Sequence, residues 1–274
     1  MSVNTYYKNN NCELYQCNNL ELLKQLPDDH VDLIYCDILY GTGKNFGDYQ
    51  DLKPNKNNIE IFYIPRLKEM YRILKNNGSI FIHMDYRIVH WIRCIMDDIF
   101  GYKNFRNEII WDYNRWTGKS NNKLQCMHDN ILFYAKGNNI VNHQFEKIKN
   151  PKLYQNKKDK DGTVLKNEDG TVKYFPQYER QIDDVWHIDI LNPRAKERCN
   201  YFSQKPKELI ERIIKIASNE GDIVADFFMG SGTTGEVALE LSRKFIGCDI
   251  GGKACEITKE RIEKIFLYKD VYKM

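Results

Sequence analysis

A chain of 274 residues with 42% hydrophobic positions can fold as one large α/β domain with a modest insertion, and it is short for two full-sized domains. A net charge of +3, from 41 basic against 38 acidic residues, permits a nucleic-acid partner without demanding one. A polar start, no run of about 18 apolar residues, and eight cysteines with no Cys-x-x-Cys pair argue against a signal peptide, a membrane span and a zinc site, and predict a cytoplasmic protein with reduced thiols.

In chain order, Val31 to Cys36 is a short β-prone run that stops at Asp37, and Gly41-Thr42-Gly43 behind it reads as a loop. From about Ile59 to Leu74 the apolar positions recur at helical spacing, and Asn76-Asn77-Gly78 reads as a C-cap before a strand from Ser79 to Met84. Arg87 to Phe100 reads as a helix, and Asn107 to Trp111 and Asn130 to Tyr134 as strands. From about Asp112 to Asp184 the composition shifts to Asn, Lys, Asp and Gly, with turns expected at Asp161-Gly162 and Asp169-Gly170, so this stretch supplies little core. Regular structure returns as a helix from about Pro206 to Ser218, a strand Asp222 to Ala225, a glycine loop, a helix from about Thr234 to Leu241, a strand Lys244 to Cys248 and a final helix. This alternation predicts an α/β fold.

Two loops hold residue types that chemistry needs. Asp226-Phe227-Phe228-Met229-Gly230-Ser231-Gly232-Thr233-Thr234 lies between a predicted strand and a predicted helix, where open α/β sheets bind ligands. Gly230 and Gly232 allow the backbone to approach a ligand, and Asp249 ends the next strand about 20 residues on, where an acid grips ribose hydroxyls. A nucleoside-containing cofactor fits the whole pattern, and an ordinary tight turn fits the glycines alone. Asp37-Ile38-Leu39-Tyr40 ends another predicted strand, where a turn carboxylate and a rim aromatic are the alternative to a catalytic pair.

Together these segments resemble the amino-methyltransferases of DNA in the permuted, β-class order, in which the catalytic motif precedes the cofactor motif. The family patterns are Asp-Pro-Pro-Tyr and Asp-Pro-Phe-x-Gly-Ser-Gly-Thr-Thr. Asp226 to Thr234 matches the second except at Phe227, whereas Ile38 and Leu39 replace both prolines of the first. Leu14 to Asn18, Gly78 to His83, His128 to Lys136 and Lys196 to Pro206 are similar to further family segments, with Cys17-Asn18 standing where Gly-Asp is usual.

The resemblance implies a Rossmann-like S-adenosylmethionine-dependent methyltransferase fold: a mostly parallel sheet with helices on both faces and an inserted target-recognition segment. It implies metal-free methyl transfer from S-adenosylmethionine to adenine N6 in double-stranded DNA by base flipping. In that scheme Asp37 and the carbonyl of Ile38 accept hydrogen bonds from the amino group, and Tyr40 stacks on the base; with both prolines replaced, packing of Ile38 and Leu39 is expected to hold the loop instead. Asn18, Asp37, Lys205, Asp226, Phe228, Gly230, Ser231, Gly232, Thr233 and Asp249 are the implied cofactor residues, Lys205 at the carboxylate and Asp249 at the ribose. The absence of a Pro-Cys dipeptide removes the nucleophile of a cytosine-C5 enzyme. Asp37 favours adenine, since cytosine-N4 relatives more often carry Ser there. A cytosine-N4 enzyme and a catalytically inactive DNA-binding relative are the alternatives.

The unmatched middle sets the domain reading: residues 1–111 and 191–274 form the catalytic core, and 112–190 a target-recognition insertion that includes one core strand near 130–135. Arg115, Trp116, Lys119 and Arg180 are its DNA-binding candidates, because basic residues among aromatics suit phosphate contact and base reading. A solvated lysine-rich insertion is the alternative. The implied partners are double-stranded DNA, a second copy in a homodimer and a cognate restriction endonuclease, in a bacterial restriction-modification setting.

Overall fold

The computed structural model describes residues 3–47, 49–115, 121–138, 142, 145–147, 154–176 and 178–271. Its strands in chain order begin with β1 (Thr5–Lys8), β2 (Cys12–Gln16), β3 (Val31–Asp37), β4 (Leu74–Met84), β5 (Phe105–Asp112) and β6 (His128–Ala135). Short strands β7 (Phe145–Lys147), β8 (Tyr154–Asn156), β9 (Tyr174–Pro176) and β10 (Glu179–Gln181) follow, then β11 (Val185–His187), β12 (Ile223–Asp226) and β13 (Lys244–Asp249). The helices are α1 (Asn19–Leu23), α2 (Lys56–Ile73), α3 (Val89–Phe100), α4 (Lys207–Ala217), α5 (Thr233–Glu240) and α6 (Gly252–Val271). Two compact units divide the chain, Met1–Asn142 with Asp184–Met274, and His143–Asp183.

The first unit is built on a sheet with the order β1-β2-β13-β12-β3-β4-β6-β5-β11. The neighbours β2/β13, β13/β12, β12/β3, β3/β4 and β5/β11 run parallel, while β1/β2, β4/β6 and β5/β6 run antiparallel. β3 reads as a near-continuous apolar run because both of its faces are buried. Ile34 and Cys36 pack with Tyr63 and Leu67 of α2 and Ile92 and Met96 of α3. Leu33 and Tyr35, one residue out of phase, are buried on the opposite face. No helix among the described residues is long and apolar enough to cross a membrane.

The structure departs from the sequence reading in two places. Asn76-Asn77-Gly78 does not cap α2, because the helix ends at Ile73 and β4 begins at Leu74. The β3/β4 register shifts there, and a Cβ on Gly78 would stand 2.9 Å from the Asp32 carbonyl, so the glycine serves a close strand approach. β6, which spans the stretch near 130–135, and β11, whose Trp186 is buried in the core, both belong to the large sheet. Finally, β1, β2 and α1 had no predicted counterpart.

Within the second unit β7 pairs with β10 and β8 with β9, both antiparallel. Between β8 and β9, two isolated antiparallel bridges, Lys158 to Val164 and Lys166 to Val172, each close a tight turn. These two turns place Gly162 and Gly170 at φ of 82° and 84°, as the Asp-Gly pairs foretell.

Candidate active site

The chain leaves β12 toward β13 on one side and leaves β3 toward β4 on the other, so the gap between β12 and β3 is the switch point of the sheet. Val224 pairs with Leu33 and Ala225 with Ile34, which brings the loops that follow Asp226 and Asp37 side by side. They share one cavity of about 840 Å³, lined among others by Asn18, Asp37, Tyr40, Lys205, Phe228, Ser231 and Asp249. That volume is ordinary for a small-molecule site.

On the β3 side, Asp37 Oδ1 accepts a hydrogen bond from the Tyr40 hydroxyl at 2.8 Å, and Oδ2 accepts one from Lys205 Nζ at 2.7 Å. Lys205 thus meets Asp37 directly, where the sequence reading assigned it to a cofactor carboxylate. The ammonium also lies 5.1 Å from the centre of the Tyr40 ring. Behind Tyr40, the buried Asp51 carboxylate closes the turn by accepting from the backbone N–H of Gly41 at 3.1 Å and of Thr42 at 2.7 Å.

The departures from the family prolines have a structural use. Ile38 N–H donates to the His83 carbonyl at 3.0 Å, and Phe227 N–H donates to Cys36 Sγ at 3.4 Å. A proline at either position has no hydrogen to give. Ile38 is buried in the core formed with α2 and α3, Leu39 packs against it, and the Leu39 carbonyl accepts from the Tyr63 hydroxyl at 2.9 Å. The loop is stiffened by packing and by N–H groups instead of by rings.

On the β12 side the backbone turns sharply. Gly230 and Gly232 have φ of 48° and 73°, and a Cβ on Gly232 would overlap the Thr258 side chain of α6. Asp249 Oδ2 accepts from Gly230 N–H at 2.9 Å and Oδ1 from Gly251 N–H at 2.8 Å, which fixes the carboxylate at the end of β13. Asp226 turns inward, accepting from Thr234 Oγ1 at 2.6 Å and Phe228 N–H at 3.0 Å. Burial raises its pKa to about 7 against those two bonds, and the charges of Asp37 and Asp249 add to the rise. Ser231 and Thr233 share a contact at 3.1 Å and are tied to Arg261 of α6, which reaches the Ser231 carbonyl at 2.7 Å and Thr233 Oγ1 at 3.2 Å.

Asn18 caps α1 by accepting from Leu20 N–H at 3.1 Å and also accepts from Arg66 at 3.0 Å. Arg115 stands exposed on the cavity wall with Lys123, and Arg180 lies in the second unit, paired with Asp183 at 2.9 Å. Trp116 and Lys119 lie outside the described residues. Sequence reasoning missed Asn19, Arg66, Asp51, His83 and Asp129. Asn19 donates to the Phe227 carbonyl at 2.8 Å and accepts from Arg66 Nε at 2.7 Å. Arg66 interrupts the buried stripe Ile59, Tyr63, Leu67, Met70 of α2, and a charge on an apolar stripe was the available signal. Among the described residues no cluster of His, Cys, Asp and Glu could hold a metal ion.

A glycine loop and an acidic strand end meeting at the switch point of a mostly parallel sheet define a Rossmann-like methyltransferase fold, with the acidic strand earlier in the chain than the glycine loop. The DNA methylase family of N6 and N4 type matches residues 31–260, and the chain belongs to it. The Type II methyltransferase M.HpaI of Haemophilus parainfluenzae is 33% identical over 252 residues, which cover 91% of this chain and 74% of that protein. The DNA adenine methyltransferase YhdJ of Escherichia coli is 28% identical over 252 residues, 88% of this chain and 79% of its own. The solved PvuII DNA methyltransferase, cytosine-N4-specific, shares the fold with a TM-score of 0.65 at 16% identity, over 93% of this chain and 87% of that one.

Proposed function

We propose that the chain transfers the methyl group of S-adenosylmethionine to the N6 amino group of adenine in double-stranded DNA, as the modification enzyme of a restriction-modification system. The observation that carries this reading is Asp37: a carboxylate at the switch point, in one cavity with the glycine loop, with Tyr40 fixed beside it. S-adenosylmethionine supplies a methyl carbon made electrophilic by its sulfonium. Gly230, at positive φ, lines the cavity without a side chain, Asp249 stands where ribose hydroxyls are held, and Asn18 and Phe228 line the same cavity.

An aromatic amine is a weak nucleophile because its lone pair is delocalised into the ring. Asp37 and the Ile38 carbonyl accept its two hydrogens and turn the lone pair toward the methyl donor. As the N–CH3 bond forms and the S–CH3 bond breaks, Asp37 is in reach of the proton the nitrogen sheds. The base leaves the duplex to enter the cavity, and the Tyr40 ring stacks on it, worth on the order of 1–3 kcal/mol. Alignment and preorganised charge supply most of the acceleration. Arg115 and Lys123, and the lysine-rich second unit, serve the phosphates and bases of the duplex.

Incubation with tritiated S-adenosylmethionine and unmethylated genomic DNA, followed by nucleoside analysis, tests the proposal. N6-methyladenine supports it. N4-methylcytosine transfers the chain to the second reading, favoured by its fold likeness to the PvuII enzyme. A protein that binds the donor and methylates no DNA sinks both.

A further inference from the structure

The Tyr40 hydroxyl faces two carboxylates, Asp37 Oδ1 at 2.8 Å and Asp129 Oδ2 at 3.1 Å. A phenol carries one proton, so it satisfies one of them at a time. Burial, then the charges of Asp37 and Asp129, push the Tyr40 hydroxyl well above the ordinary tyrosine range, so it keeps that proton.

Asp129 comes from β6, beyond β4, and its surroundings hold it firmly. His83 Nε2 lies 3.2 Å from Oδ2, and the Tyr113 hydroxyl donates to Oδ1 at 3.0 Å. The fully buried His83 has Nδ1 2.8 Å from the Tyr35 hydroxyl and 3.7 Å from Asp37 Oδ1, with the Trp111 ring edge-on at 5.3 Å. When Tyr35 donates to Nδ1, Nε2 carries the hydrogen that Asp129 accepts. Burial would raise the Asp129 pKa, but His83, Lys205 and Tyr113 more than offset it and hold the carboxyl at about 2, which leaves an ionised acceptor.

We propose that Asp129 is a positioning residue for methyl transfer: it takes over the Tyr40 hydroxyl when the target amino group engages Asp37. The hydroxyl hydrogen swings from Oδ1 of Asp37 to Oδ2 of Asp129, with no covalent bond made or broken. Asp37 is then free to accept the amino hydrogen while the Tyr40 ring stays where a base can stack on it. This inference rests on the roles given above to Asp37 and Tyr40.

A double-mutant cycle on the full chain tests it, read as initial rates of methyl transfer to DNA. Tyr40→Phe and Asp129→Asn each lower kcat about tenfold, and Asp129→Asn lowers it by less than about twofold in the Tyr40→Phe background. The KM for S-adenosylmethionine stays unchanged throughout. Full kcat in Tyr40→Phe, multiplying losses in the double variant, or a change confined to KM each overturns the proposal. Should Asp129→Asn fail to fold, Asp129→Ser runs the same cycle. Additive losses in an active wild-type background refute this inference alone, whereas a wild-type protein that methylates no DNA removes the reading beneath it too.

Discussion

Asp37 is met by side chains from three separate segments: Tyr40 from its own loop, Lys205 ahead of α4, and His83 from β4 at 3.7 Å. Its proposed work belongs to the transition state, so Asp37→Ala is expected to lower kcat by about 100-fold or more while the protein still binds S-adenosylmethionine. Tritium transfer and calorimetry read the two quantities separately. Asp226 sets a different expectation. Burial lifts its pKa from 3.8 to about 7 in the folded chain, so the native state holds a proton that the unfolded state releases in that window. Below the window both states are protonated and the group is neutral to stability. As pH rises through it, stability falls, and above it the loss is complete. Melting temperatures measured between pH 5 and 7.5 are therefore expected to drop more steeply in wild type than in Asp226→Asn, whose amide does not titrate.

Among the elements, β3 and the loop that follows it decide how the site is held. Ile38→Pro removes the hydrogen bond to the His83 carbonyl, worth about 1 kcal/mol, and also takes an aliphatic side chain out of the core. Leu39 is half-buried and makes no backbone N–H bond among the described residues, so Leu39→Pro is the milder change. Thermal melting is expected to rank Ile38→Pro well below Leu39→Pro. The strands that bracket the site were legible in the sequence because each is a short apolar run ending in Asp, followed by glycines. The glycine loop was legible for the same reason, since positive φ selects glycine at Gly230 and Gly232. Asp129 and His83 were not, because one polar residue in an apolar strand gives no hint of which partner a neighbouring strand will bring. β11 was hidden as well: Val185, Trp186 and His187 are three residues whose only strand signal is the partner β5.

For the whole molecule, the boundary between the two units falls inside the region whose composition marked it as different. Low aliphatic content identified a segment that could not supply the main core, and the apolar run of β6 stood out within it, but composition could not say that β11 joins the large sheet. Replacing residues 143–183 with a flexible Gly/Ser linker tests the division. Donor binding and cooperative melting are expected to survive, and discrimination among DNA sequences to be lost. Full sequence preference in the shortened chain would assign recognition to the first unit.

The bonds from Asn19 to the Phe227 carbonyl and from Phe227 N–H to Cys36 stitch the beginning of the glycine loop to β3 and α1. Neither side of the crevice can then slide without dragging the other, and the gap a transferred group must cross is set before any reactant arrives. Donors bearing an ethyl or propyl group in place of methyl should therefore turn over more slowly as their bulk grows while binding almost as tightly, a gauge the protein imposes on its reagents.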